Sequence, residues 1–380
     1  WVYQEAIDRL RAVKYRREDF AAAHIAPQSS GDVADEWRTR VVVLDPNYGH
    51  KKVNGGSEAQ RVAQEILENR GSSPRLYRNM LVFIAPDAND AEAWEKALRE
   101  YLAWKSIDEE AEPLNLDAQQ RKQVASALKR TEETLLARLQ ETYSWLIDPT
   151  QPEPTGPIDY QAHRINGQDS FYDRAARKLR QSELLIQRWS PDNLRMELDR
   201  YLWRDQPHLG LKQLWEYLAC YCYLPRLYDE DVLLEAVGDG IARADAPFGY
   251  ATMVGLDGAY KGLAFGQPAS NLYFDDNAVL VHPEIAQEQI EAARQAQAPA
   301  NTTLISTPLG GNQPKPTAPV ESAQLRLTTR YHGTVSLDPQ RINREMAMIV
   351  EEIIQRLTSL TGTDVEITLE IGEIGRASWR

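Results

Sequence analysis

The chain has 380 residues, 42% apolar and 26% charged, with a net charge of −13, enough for two or three soluble globular domains. No apolar run approaches the roughly 18 residues a membrane span needs, no signal-peptide pattern opens it, and its two cysteines, Cys220 and Cys222, supply neither a disulfide framework nor four zinc ligands. The acidic balance argues against whole-surface affinity for nucleic acid, which runs on clustered Lys and Arg, and a soluble cytoplasmic protein without membrane contact is expected.

The sequence opens on Trp1 with no capping residue ahead of its first helix, so a piece of a longer polypeptide is expected. Residues 1–20 read as a helix, with Val2, Ala6, Ile7, Leu10 and Val13 on one face. A loop through Pro27 and Ser29-Ser30-Gly31 follows. Arg40 to Leu44 is a continuous apolar run stopped by Asp45-Pro46, which suits a strand covered on both faces. After the turn Asn54-Gly55-Gly56, Ser57 caps a helix to about Asn69. Met80 to Ala85 is a second buried strand closed by Pro86-Asp87. Asp90 then starts a helix with Trp94, Ala97, Leu98, Tyr101 and Leu102 inward. This alternation predicts a parallel β-α-β core piece.

Asp117 and Gln120 open a long helix predicted to end near Ile147, on the stripe Val124, Leu128, Leu135, Leu139 and Leu146. At about 1.5 Å per residue it spans on the order of 45 Å, enough to bridge two lobes. The proline-rich stretch 149–157 reads as a linker, closing an α/β region over 1–150. Helices predicted at 169–187, 192–203, 210–222 and 229–242, then a hairpin over 248–255 and 259–265 about Leu256-Asp257-Gly258, give 158–294 the layout of a winged helix. Residues 295–322 read as a flexible linker. Residues 323–380 read as a C-terminal β-α-β module, with Val365, Ile367, Leu369 and Ile371 alternating. The expected class is therefore multidomain α/β and α+β.

Several constellations could carry chemistry. Val41-Val-Val-Leu44-Asp45 has the shape of a Walker B strand, which would give Asp45 a magnesium, but Pro46 replaces the usual glutamate and no G-x-x-x-x-G-K-[ST] precedes it. Arg75 and Arg78, and less so Arg16 and Arg17, are candidates for an arginine that reaches a neighbouring subunit's γ-phosphate. Arg9, Arg11, Lys14, Arg16 and Arg17 form the clearest basic patch and a candidate nucleic-acid contact. Gly310-Gly311-Asn312 lacks the flanking strand and helix of a phosphate cradle. The six histidines show no ligand spacing, and Cys220 and Cys222 project about 200° apart on a regular helix. The would-be recognition helix Asp229–Asp239 is too acidic for the major groove, so that module is expected to contact protein. Trp215, Tyr217, Tyr221 and Tyr223 are read as core.

In order of appearance, His24-Ile-Ala-Pro-Gln-Ser-Ser-Gly-Asp-Val33, Tyr77-Arg-Asn-Met-Leu-Val-Phe-Ile-Ala-Pro-Asp87, Tyr101-Leu-Ala-Trp104, Glu141-Thr-Tyr-Ser-Trp145, Tyr223-Leu-Pro-Arg-Leu227, Phe248-Gly-Tyr250 and Arg330-Tyr-His-Gly-Thr-Val resemble the large prokaryotic ATPases of the domain of unknown function 499 family. The resemblance covers nearly the whole chain. It implies the C-terminal half of a AAA+-like P-loop ATPase from phage-defence and restriction-modification neighbourhoods. The family's Walker segments lie in its N-terminal half, so ATP and Mg²⁺ are expected in the parent protein and no cofactor on this chain. The implied partners are the P-loop half of the same polypeptide, methyltransferases or helicases, and DNA through the complex. A non-enzymatic docking module, presenting the winged helix and residues 323–380, and DNA binding through the basic first helix are the alternatives.

Overall fold

The computed structural model describes residues 1–52, 55–204, 206–269 and 271–297; the expected linker over 295–322, apart from its first three residues, and the C-terminal module lie outside them. The first helix, α1 (Val2–Ala12), stops well short of residue 20. Ala6, Ile7 and Leu10 are buried on it, with Val2 and Val13 packed alongside. The chain then turns so that Phe20 enters the same core. A short strand, β1 (Ala22–Ile25), follows within the expected loop and pairs in parallel with β2 (Arg40–Val43). Next come α2 (Glu58–Glu68), a ribbon of β3 (Asn69–Arg70) with β4 (Ser73–Pro74), and β5 (Leu81–Ala85), parallel to β2. Ser57 caps α2 as expected, and Gln60 completes a reciprocal capping box.

Helix α3 (Ala91–Glu109) buries Trp94, Leu98 and Tyr101; its N-cap Asp90 makes no side-chain cap bond. Asp117 and Gln120 cap α4 (Ala118–Thr142) reciprocally, as expected. That helix ends at Thr142, and Trp145–Thr150 form β6, which pairs antiparallel with both β5 and β7 (Asp159–Arg164). The proline-rich stretch is therefore the loop of a hairpin, and α4 packs along α3 and buries Leu135 and Leu139 in the sheet's core. The misreading has a physical cause: Leu135, Leu139 and Leu146 keep helical phase, so periodicity runs on past the true end.

The sheet order is β1-β2-β5-β6-β7, three parallel strands followed by two antiparallel ones. Alternate residues face opposite layers. Val41, Val43, Val82 and Ile84 pack with α1, α3, α4 and α5 (Phe171–Gln181), whereas Val42, Leu81 and Phe83 pack with α2. The result is a mixed α/β protein with helices on both faces of a mixed sheet.

Beyond α5 come α6 (Pro191–Glu197), a π turn over Leu198–Leu202, β8 (His208–Gly210), α7 (Leu211–Cys220) and α8 (Glu230–Ile241). They are followed by β9 (Gly249–Ala251), β10 (Met253–Val254), β11 (Tyr260–Lys261), β12 (Val279–Val281) and α9 (Pro283–Gln297). The predicted hairpin forms as β10 against β11, extended by a Tyr250–Ala264 bridge, and β12 lies between β8 and β9. Trp203, Trp215, Leu218, Leu233, Phe248 and Leu280 centre this part's core.

Candidate functional site

In open α/β sheets, ligands gather at the carboxyl ends of the parallel strands. Here those ends carry two buried carboxylates, Asp45 just beyond β2 and Asp87 just beyond β5. Each closes a turn on its own loop: Asp45 Oδ1 accepts from the backbone N–H and Nδ2 of Asn47 at 3.0 and 2.8 Å, and Asp87 Oδ1 accepts from those of Asn89 at 2.9 and 3.1 Å. Asp45 Oδ2 also accepts from Tyr3 Oη, and Asp87 Oδ2 from Trp145 Nε1 at 3.0 Å and from Arg164. Burial alone would raise the Asp87 pKa, but the Asn89 amide, the Trp145 indole and Arg164 outweigh it and hold the carboxyl below its usual range. Both groups are occupied in turn capping. Among the described residues no cluster of three His, Cys, Asp or Glu is placed to hold a metal.

His50 lies between these strand ends. Its backbone N–H donates to Pro86 O at 2.7 Å, its carbonyl accepts from Ala88 N at 3.1 Å, and its ring meets Trp145 edge-on at 4.5 Å. Nδ1 lies 2.8 Å from Ser57 Oγ, while Nε2 is buried without a partner. Desolvation holds its pKa below the ordinary value, so the ring is neutral.

The junction from β2 to α2 comes nearest a phosphate cradle. It carries Lys51 and Lys52, then Gly55 and Gly56 at φ +94° and +90°, then a helix N-terminus. The geometry of anion binding needs free amides there. Yet Ala59 N donates to Gly49 O at 3.4 Å, Gln60 N to Ser57 Oγ at 3.3 Å, and Ser57 N to Gln60 Oε1 at 2.8 Å. Those three amides are engaged within the chain, and Glu58 adds an exposed negative charge beside them.

The candidate arginines separate sharply. Arg75 is the reverse of a mobile finger: its side chain is 0% exposed, and it donates to the carbonyls of Ile66, Ala34, Ser30, Val33 and Asn69 at 2.8, 3.0, 3.2, 3.0 and 3.5 Å. It fastens the β3–β4 ribbon to the loop after β1, and its complete burial keeps the guanidinium from a neighbour's phosphate. Arg78 is half-buried, with Nε unpartnered, and its charge reaches Tyr160, Cys220 and Cys222. Burial pushes both cysteine thiols up to about 11, which leaves them protonated and inert at neutral pH.

The basic patch is largely neutralised where it stands. Arg9 pairs with Glu5 and Glu132, each at 2.8 Å, and Arg11 with Asp8 at 3.7 Å. Arg16 bonds Asp173 at 2.7 Å and Asp19 at 3.2 Å. Lys14 and Arg17 are exposed, Arg17 at a small cleft shared with Asp19, Arg38 and Asp229. This surface does not concentrate positive charge as phosphate binding requires.

Two groupings escaped the sequence pattern. Arg226 is buried and joins the two halves of the described fold: it bonds Asp148 Oδ1 at 2.6 Å, Leu184 O at 3.0 Å and the Asn79 carbonyl. Asn79 Nδ2 in turn donates to Leu218 O and Leu224 O at 2.8 and 3.1 Å. Tyr217, Tyr221 and Tyr223, read as core, are only partly covered, unlike Trp215 beside them. Tyr217 and Tyr221 fall in helical phase with Leu214 and Leu218, which is why they read as core; α7 ends at Cys220, and Tyr221 leaves that face in an extended conformation. No family model, curated protein or solved structure matches the chain. Among the described residues no helix is long and apolar enough to cross a membrane.

Proposed function

We propose that this chain is a region of a AAA+-like ATPase that does not itself hydrolyse nucleotide, and that it works with a P-loop half of the same polypeptide in a prokaryotic phage-defence or DNA-modification complex. ATP and Mg²⁺ would be held by that other half. The parallel β1-β2-β5 sheet with helices on both faces suits such a core. The observation that carries the reading is that the Ser57, Ala59 and Gln60 amides at the start of α2 are engaged within the chain, since a nucleotide's phosphates need unengaged amides. The test is phosphate release from Mg·ATP by the purified chain. No rate above background is expected, and a magnesium-dependent turnover would overturn the reading.

A second reading, a docking module, draws on the helical part. The order α6, β8, α7, α8, β9, the β10–β11 hairpin and β12, with β12 central in β8-β12-β9, supports a winged-helix interpretation. Its α8 presents Asp231, Glu235 and Asp239 as an exposed acidic stripe, unsuited to the major groove and suited to a basic protein face. Co-purification of a methyltransferase or helicase partner, lost when Asp231 and Glu235 are both changed to Lys, is the expected outcome. Capture that survives the reversal would count against this face.

A further inference from the structure

Tyr217 and Tyr221 lie four residues apart at the end of α7, and Tyr221 leaves the helix in an extended conformation that brings Tyr223 to the same side. Tyr201, from the π turn after α6, closes the row. Ring centroids are 5.8 Å apart for Tyr217–Tyr221, 5.3 Å and stacked for Tyr221–Tyr223, and 5.2 Å edge-on for Tyr223–Tyr201. Tyr221 is 37% exposed. Two exposed arginines flank this row. The Arg200 guanidinium sits 4.8 Å from the Tyr201 ring centroid, and Arg204 stands on a left-handed backbone at φ +47° with its charge felt by Tyr223.

Neither arginine forms a salt bridge among the described residues. Of the nearby carboxylates, Asp199 is taken by Arg195 at 2.7 Å, and burial raises the Glu197 pKa while the Arg200 charge opposes it. Glu216 lies within the field of Lys212, which itself pairs with Asp276 at 2.8 Å. A row of aromatic rings bordered by two exposed guanidiniums without an ion pair among the described residues matches one ligand chemistry closely: flat bases on a negatively charged backbone.

We propose that this tyrosine row is a stacking platform for single-stranded nucleic acid, with bases against the rings and phosphates against Arg200 and Arg204. Duplex is disfavoured because its base faces are already stacked internally. A proline-rich peptide could use the rings but would gain nothing from the two cations. The inference is independent of the ATPase reading, since it concerns neither the sheet nor nucleotide.

The experiment is fluorescence anisotropy of a labelled oligothymidine titrated with the full chain at about 50 and 200 mM salt. Saturable binding is expected, displaced by unlabelled single strand and not by duplex. Tyr221→Ala, at an exposed position, should weaken it about ten-fold. Arg204→Gly keeps the left-handed backbone while removing the charge; it should weaken binding several-fold and lower the salt slope by about 0.7. Circular dichroism of each variant establishes that it is folded. No saturable binding up to about 100 µM, or equal binding by folded Tyr221→Ala, would overturn the proposal. So would a labelled proline-rich peptide that binds where the oligonucleotide does not.

Discussion

An arginine facing five carbonyl oxygens cannot be replaced by another cation without loss. Arg75 meets that description, and lysine offers three donors on a flexible stem. Arg75→Lys should therefore lower the unfolding free energy by about 3 kcal/mol in urea titration, with any effect on assembly following from stability. The histidines carry a separate signature. His24, His50 and His163 all have pKa values lowered first of all by burial; around His50, Lys52 reinforces this and Asp87 opposes it. The unfolded chain takes up protons near pH 6.5, and the folded chain does so only at lower pH. Below about 6.5 the unfolded state thus binds more protons, so stability is full above that value and falls as pH drops. Unfolding free energies from urea titrations at about pH 7.5 down to 5.5 should decline, by at most about 1.4 kcal/mol per pH unit for each histidine. His50→Gln should flatten that decline; an unchanged slope would show that His50 does not contribute.

Elements were legible where one signal dominated. Strands β2 and β5 stood out because runs buried on both faces are continuously apolar, and α2 and α4 because their capping boxes are local chemistry. The β6–β7 hairpin was hidden by Leu146 falling in helical phase with Leu135 and Leu139. Strand β1 was hidden because Ala22-Ala-His-Ile25 is short and lies at the sheet's edge. The candidate site was less legible still: Asp45 was found at its strand end and its turn to Asn47 is local, but the bond from Tyr3 joins residues 42 apart that no spacing rule connects. In the helical part, packing rests on small residues that the sequence did not flag. A Cβ on Gly240 of α8 would lie 2.6 and 2.9 Å from ring carbons of Phe248 and 3.1 Å from Pro191 Cβ. Gly240→Ala should therefore cost about 1–3 kcal/mol despite the better helix propensity of alanine. A variant as stable as the parent in urea would mean that Phe248 yields freely.

At the scale of the molecule, the sheet's cores and the helical core meet across a polar lock. Arg226 links Asp148 of β6 and Asn79 at the head of β5 to the loop after α7, and Asn79 reaches back to Leu218 and Leu224. The Arg226 and Asp148 side chains are 3% and 1% exposed, so removing one leaves the other charge buried without its partner, at a cost of about 3–5 kcal/mol. Backbone bonds run beside the lock: Ile186 N to Arg226 O and Tyr228 N to Ile186 O, both at 2.9 Å. If this junction couples the two parts, amides of β5 and of α7–α8 should exchange with deuterium at one common opening free energy in the parent chain. Arg226→Ala should split them, α7–α8 exchanging faster while β5 stays protected. The double change Arg226→Met with Asp148→Leu should restore a shared value, because an apolar pair of similar volume replaces a buried ion pair at little cost. Uniform exchange in Arg226→Ala would assign the coupling to apolar packing alone.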